Sequence, residues 1–424
     1  MSRRTCALLI GLYLLVKILT QVFGDPFGYA GDYYALYPGM IANEIIEYGA
    51  RDPVYLNRGV PLYAGPIVAG YLTVPFFLLL GKSLLTLRLV SLLISTAGFV
   101  LTLVFLGRYF SARVGVITAL LWIFPPLFFF TYYTLAFDVH EVLVVINAML
   151  LLIFYRIIFD RRRAWYLFAA IGLISGFGTY YLVSAAFIVP LLLALLYAVD
   201  KRALWSRNTA VLAAAFVIGL IPWVVICQVE FAHRHGAPFH LALGQQIDHN
   251  LGQLVVRFAK SFLFLERSLF TSDPTDKLDM SRLYPWLSTT LYRVYFSIFM
   301  VSFLAMLWRL RRQLAGIVTS LFSLRREIAA DEGLRAVPLL VMPVYFPLVY
   351  SFTTGTGSSW IASRYLLPVH PFMFVIMALF LDRLWQARVG SRRLAPLAAA
   401  AVVYLTGVFV VSMAPAMDLR NASQ

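Results

Sequence analysis

The sequence is short of charge, of acid and of cysteine. Charged residues make up 13% of the 424 positions, roughly half the share of an ordinary soluble domain, while hydrophobic residues make up 61% and aromatic ones 16%. That balance excludes a water-soluble globular fold. The two cysteines, Cys6 and Cys227, lie inside apolar stretches, so neither a disulfide framework nor a metal–thiolate set is expected. No solenoid-type repeat and no low-complexity tract is visible. A crossing takes about 20 apolar residues for ~30 Å of hydrocarbon, so the chain has room for at most about a dozen spans. One integral membrane domain over residues 1–424 is the expectation. The opening stretch, from Arg3 and Arg4 to Phe23, is apolar and has no small-x-small cleavage site after it, so it reads as an uncleaved first span.

What charge there is lies unevenly. The net charge is +15, and the whole excess sits in short arginine-rich connections: Arg3/Arg4, Arg108/Arg113, Arg156 with Arg161–Arg163, Lys201/Arg202/Arg207, Arg309 through Arg335, and Arg383 through Arg393. The rest of the chain is neutral, and its hydrophilic stretches alternate with the basic ones. This is the pattern of a multi-pass membrane protein with basic inner loops, and no nucleic-acid role is needed to explain it. The fold class expected is an all-α integral membrane protein of about 11 spans, near residues 5–23, 86–106, 114–133, 139–157, 165–181, 183–199, 209–227, 291–308, 337–352, 366–382 and 395–413. The N-terminus is then cytoplasmic and the C-terminus outside. Two outer segments are long, 24–85 with juxtamembrane helices and 228–290. The apolar stretch Leu62–Leu80 reads as an amphipathic or half-inserted segment, because Pro61, Gly65, Pro66, Gly70 and Pro75 disfavour a continuous helix and a further crossing would invert the basic loops.

Three outer clusters are candidates for chemistry. Asp32 stands among aromatics just beyond the first span, where a carboxylate must reach water or a partner, or else caps the helix that follows. Asp138, His140 and Glu141 open the fourth span; Asp138 and Glu141 share a helical face and suit a divalent cation as oxygen ligands, or they favour the positive helix end. Arg364, followed by Tyr365 and preceded by the glycine- and serine-rich stretch Thr353–Ser359, suits a phosphate or carboxylate, or it snorkels to headgroups beside Trp360. The histidines His233, His235, His240 and His249 are spaced too loosely for a metal motif.

In order along the chain, Asp32-Tyr33-Tyr34, Pro61-Leu62-Tyr63, Leu85-Thr86-Leu87-Arg88-Leu89-Val90-Ser91, Gly107-Arg108, Asp138 and Arg364-Tyr365-Leu366-Leu367-Pro368 resemble the motifs of the polyprenyl-phosphate-sugar glycosyltransferases of the C-type membrane fold, in particular the protein O-mannosyltransferases and lipid A aminoarabinose transferases. The likeness covers the first ~160 residues and, locally, 360–372; between them only hydropathy matches. Asn57-Arg58 stands where the lipid A enzymes carry an acidic–basic pair.

The resemblance implies transfer of a sugar from a polyprenyl-phosphate carrier to a lipid, glycan or protein acceptor at the outer face of a bacterial or archaeal cell membrane, with inversion. Asp32, or Asp25, is then the base. Arg364, Arg58 and Tyr365, or a divalent cation (Mg, Mn or Zn) held near Asp138, compensate the lipid phosphate, and Tyr33, Tyr34, Tyr55 and Tyr63 line the sugar. Two other classes compete. A lipid or lipid-sugar flippase predicts mid-span ionisable residues and broken helices; Lys17 is the clearest of the former and is expected to snorkel, while Gly172, Gly176 and Gly178 mark either a break or close packing. A non-catalytic scaffold of the same fold is the third reading.

Overall fold

A computed structural model of the chain describes residues 1–23, 33–49, 65–130, 139–225, 254–260, 285–323, 327–351, 366–389 and 391–422. These are helical almost throughout. In chain order the helices are α1 (Arg3–Phe23), α2 (Tyr33–Tyr48), α3 (Gly65–Leu80), α4 (Leu84–Tyr109), α5 (Ala112–Ile123), α6 (Leu127–Phe130), α7 (Val139–Ile158), α8 (Trp165–Tyr181), α9 (Ile188–Val199), α10 (Lys201–Leu204), α11 (Arg207–Trp223), α12 (Pro285–Leu321), α13 (Glu332–Ser351), α14 (His370–Gln386) and α15 (Ala395–Ala422), with a further helical stretch at 254–260. Among the described residues six helices are long and apolar enough to cross a membrane, namely α1, α4, α7, α12, α13 and Leu367–Gln386, and five shorter apolar helices accompany them. The protein is a multi-pass membrane protein of the all-α class.

Local sequence explains where the helices start. Ser83 caps α4 by accepting from the Thr86 N–H at 3.1 Å, Ser111 caps α5 through the Val114 N–H at 3.2 Å, and Asp200 caps α10 through the Ala203 N–H at 3.1 Å. Packing then sorts them. At the centre lies α14, whose residues from His370 to Leu379 are all buried, enclosed by α5, α12, α13 and α15. A helix apolar all round belongs in such a place. On one side α4 pairs with α7, α7 with α8 and α8 with α11, while α1 lies against α4 and α5 with lipid-facing side chains such as Leu8, Leu15 and Leu19.

Two expectations need correction. The Leu62–Leu80 stretch is not interrupted where it is described: α3 runs unbroken through Pro75, and it is not amphipathic, since Ile67 and Phe77 are buried while Leu72, Leu78 and Leu79 are exposed. Its glycine serves packing, because a Cβ on Gly70 would sit 2.4 Å from Ile41 of α2. The span expected at 291–308 is also longer than its apolar run. Helix α12 has 37 residues, about 55 Å at 1.5 Å rise per residue, and carries Arg309, Arg311 and Arg312 within it. The glycines of α8 are likewise packing positions, and α8 is continuous. A Cβ on Gly172 or Gly176 would lie 2.2 Å from the backbone oxygen of Leu212 or Phe216 on α11, so the small residues allow the two backbones to touch.

The basic connections gather at one end of this bundle. Arg108 pairs with Asp160 at 2.6 Å, Arg113 with Asp382 at 3.1 Å, and Arg163 with Asp200. The Lys201 amino group donates to Ser320 Oγ and O, its backbone N–H donates to Glu327 at 3.1 Å, and Arg335 donates to the Tyr109 carbonyl. These links join the ends of α4, α7, α9, α12 and α14 to one another, and Met1 packs beside Gly107 and Gly115 at the same end.

Candidate functional site

The opposite end holds a buried polar cluster. Glu141, in the first turn of α7, is fully buried, and the Ser91 hydroxyl of α4 lies 3.0 and 3.3 Å from its two carboxylate oxygens. Lys17 of α1 is also fully buried, so it does not snorkel as its position in the sequence suggests. Its Nζ lies 4.4 Å from the Phe130 ring centroid and 5.5 Å from that of Tyr13, and the charge of Glu141 acts on both Lys17 and Tyr13. Burying a charged lysine or carboxylate in a membrane domain is costly, and an opposite charge nearby offsets part of that cost. Among the described residues there is no group of three or more His, Cys, Asp or Glu side chains that could hold a metal ion.

The cluster extends in two directions. Toward the end of α1, Gln21 and Arg88 are cross-linked, Arg88 donating to the Gln21 carbonyl at 3.3 Å and the Gln21 amide to the Arg88 carbonyl at 3.5 Å. Toward α14, the Phe129 ring lies 5.5 Å from that of His370, whose Nδ1 is 3.3 Å from the Leu367 carbonyl oxygen, and Trp122 packs edge-on against Phe129 and Phe374. Helices α1, α4, α6, α7 and α14 therefore meet here.

Of the catalytic, phosphate-binding, sugar-lining and metal candidates named from sequence, Glu141 is the one whose side chain is described, and it takes the Ser91 hydroxyl. Asp25, Asp32, Tyr55, Arg58, Tyr63, Asp138, Arg364 and Tyr365 lie outside the described residues, as do the side chains of Tyr33, Tyr34 and His140 and the four histidines of 228–290. The described chain that flanks them does converge. Lys17 lies on the helix that precedes 24–32, Phe130 and Glu141 bracket 131–138, and His370 opens the helix that follows 352–365. Gln21 and His370 were not singled out from sequence, and neither was buried Ser95, whose hydroxyl donates to the Leu92 carbonyl at 3.1 Å and lies beside Tyr13. Ser95 stands one turn after Ser91 on the same face of α4, a spacing that could have marked it.

A polar cluster is thus buried where several helices of a multi-pass membrane protein meet, at one end of the bundle. Residues 64–226, under half of the chain, match the family model described as dolichyl-phosphate-mannose-protein mannosyltransferase, which supports the likeness to C-type glycosyltransferases that the sequence motifs carry. The match runs from α3 through α11, so it includes Ser91, Asp138 and Glu141 and reaches further into the middle of the chain than the motifs do. No curated protein and no solved structure matches the chain.

Proposed function

We propose that the protein transfers one sugar from a polyprenyl-phosphate carrier to an acceptor hydroxyl at the outer face of the membrane, with the basic end of the bundle in the cytoplasm. The observation that carries this reading is the family match over residues 64–226. The buried cluster supports it, since Lys17, Ser91, Glu141 and His370 tie together the helices from which the three candidate segments leave.

In the reaction the acceptor oxygen bonds to the anomeric carbon as the bond from that carbon to the phosphate oxygen breaks, so the configuration inverts and the phosphate departs on its lipid. Asp32 takes the acceptor proton, and Arg364 with Tyr365 and Arg58 offsets the charge that grows on the leaving phosphate. In this scheme Glu141 and Lys17 touch neither substrate. They position α1 against α7, so that the segments bearing Asp32 and Asp138 start from neighbouring places.

The test is a transfer assay on the purified full chain with a panel of polyprenyl-phosphate sugars. Mannose comes first, being the sugar named in the family description. Asp32→Asn is expected to lower the transfer rate about 10²–10⁴-fold. Transfer that survives the substitution unchanged removes Asp32 as the base, and lipid movement without a new glycosidic bond favours a flippase instead.

A further inference from the structure

Between α14 and α15 the chain makes a minimal antiparallel hairpin, Arg388–Val389 with Arg392–Arg393, in which Arg388 stands directly opposite Arg393 and Val389 opposite Arg392. Like charges directly opposite each other destabilise a strand pair. Here nothing in the described chain relieves them. Arg388, Arg392 and Arg393 are exposed, and none has a hydrogen-bonding or ion-pairing partner for its side chain among the described residues. The carboxylate closest in sequence, Asp382, is already taken by Ser111 Oγ at 3.0 Å, Arg113 at 3.1 Å and Gln386 at 3.2 Å. The surroundings are amphipathic. On the α14 side the exposed indole of Trp385 carries the Arg113 guanidinium 5.3 Å from its ring centroid, and on the α15 side Leu397 is 59% exposed. An exposed tryptophan and leucine on the two helices flanking an arginine turn mark the depth at which hydrocarbon gives way to headgroups.

We propose that this hairpin is a binding site for an anionic phospholipid, whose phosphate bridges Arg388 and Arg393 while its acyl chains lie along Trp385 and Leu397. Guanidinium forks suit phosphate oxygens in such a bridge. A lipid phosphate between the two arginines turns an unfavourable cross-strand pair into a favourable one. The site is separate from the sugar-transfer site, which lies at the other end of the bundle, so either assignment can fail alone.

The experiment compares thermal unfolding and lipid retention of the full chain in nanodiscs of phosphatidylcholine alone and of phosphatidylcholine mixed with phosphatidylglycerol. The variants are Arg388→Gln/Arg393→Gln and, as a control that removes the same charge from the same end, Arg161→Gln/Arg162→Gln. The effect of the hairpin variant should change sign with the lipid. In phosphatidylcholine it melts at or above the wild-type temperature, because the repulsion is gone. With phosphatidylglycerol it melts below wild type and retains about tenfold less of that lipid, while the control keeps the wild-type gain. The same sign of effect in both lipids, or an equal loss in the control, overturns the proposal. So does inorganic phosphate restoring the full gain in phosphatidylcholine, which would make the site one for a free anion.

Discussion

The two ends of the bundle handle charge in opposite ways. At the basic end arginines and carboxylates meet in half-exposed pairs such as Arg108 with Asp160 and Arg113 with Asp382, where the arginine side chains are 40% and 42% exposed. There water screens each pair, and its net contribution is small. At the opposite end a lysine, a glutamate and a serine are sealed inside the helices, where protein groups must supply what water otherwise would, as the Ser91 hydroxyl does for Glu141. The many charges at the first end join helix ends, whereas the few at the second lie among the helices that flank the proposed chemistry.

Removing one member of the sealed cluster is the strongest way to test that contrast. Glu141→Leu leaves Lys17 without its counter-charge and should destabilise the chain by about 3–5 kcal/mol, whereas Lys17→Met/Glu141→Leu should recover most of that loss. Denaturant melts of the three proteins in one detergent measure the coupling, and a double variant as weak as the single one would show that the two groups are not partners.

At the basic end Arg113→Ala should cost about 1 kcal/mol or less. A loss matching that of Glu141→Leu would erase the distinction between the ends. The smallest effect belongs to Glu47, at the exposed surface of α2. Hydrogen bonds from Lys82 at 3.2 Å and Asn43 at 3.0 Å, together with the Lys82 charge, hold its carboxyl below the usual glutamate range. Because the folded value is the lower one, its contribution is present above the ordinary glutamate pKa and is lost as pH falls through the folded value. Acid melts of wild type and Glu47→Gln should therefore converge at the acid limit and separate slightly above it.

The basic end was legible in the sequence. Alternating apolar runs and arginine-rich turns placed several helices to within a few residues, as for 165–181 against Trp165–Tyr181, because lipid and water sort residues by transfer cost over whole spans, whereas 291–308 fell short of Pro285–Leu321 and 114–133 overran a helix that ends at Ile123. Continuity was harder to read. Pro75 looks like a helix breaker, yet an apolar helix packed against neighbours accommodates it, and the arginines after Trp308 look like a loop although arginine is a good helix former. The buried cluster was the least legible part. Ser91 and Glu141 were visible as motif and cap, but Lys17 looks like a snorkelling residue until the fold buries it beside Phe130, within reach of the charge of Glu141, far off in sequence. Partnerships of that kind are set by tertiary packing, and no local pattern announces them.

Helix α12 outruns the hydrocarbon thickness by about 25 Å, and it does so as one unbroken rod. Its far tip clasps Lys201 through Ser320, while the opposite half takes the Tyr404 hydroxyl of α15 on the Leu291 carbonyl and buries Tyr295 and Phe299. The rod is thus a stiff strut: a displacement of Lys201 at one end is carried to the packing around Tyr295 and Phe299 at the other with no joint between to absorb it.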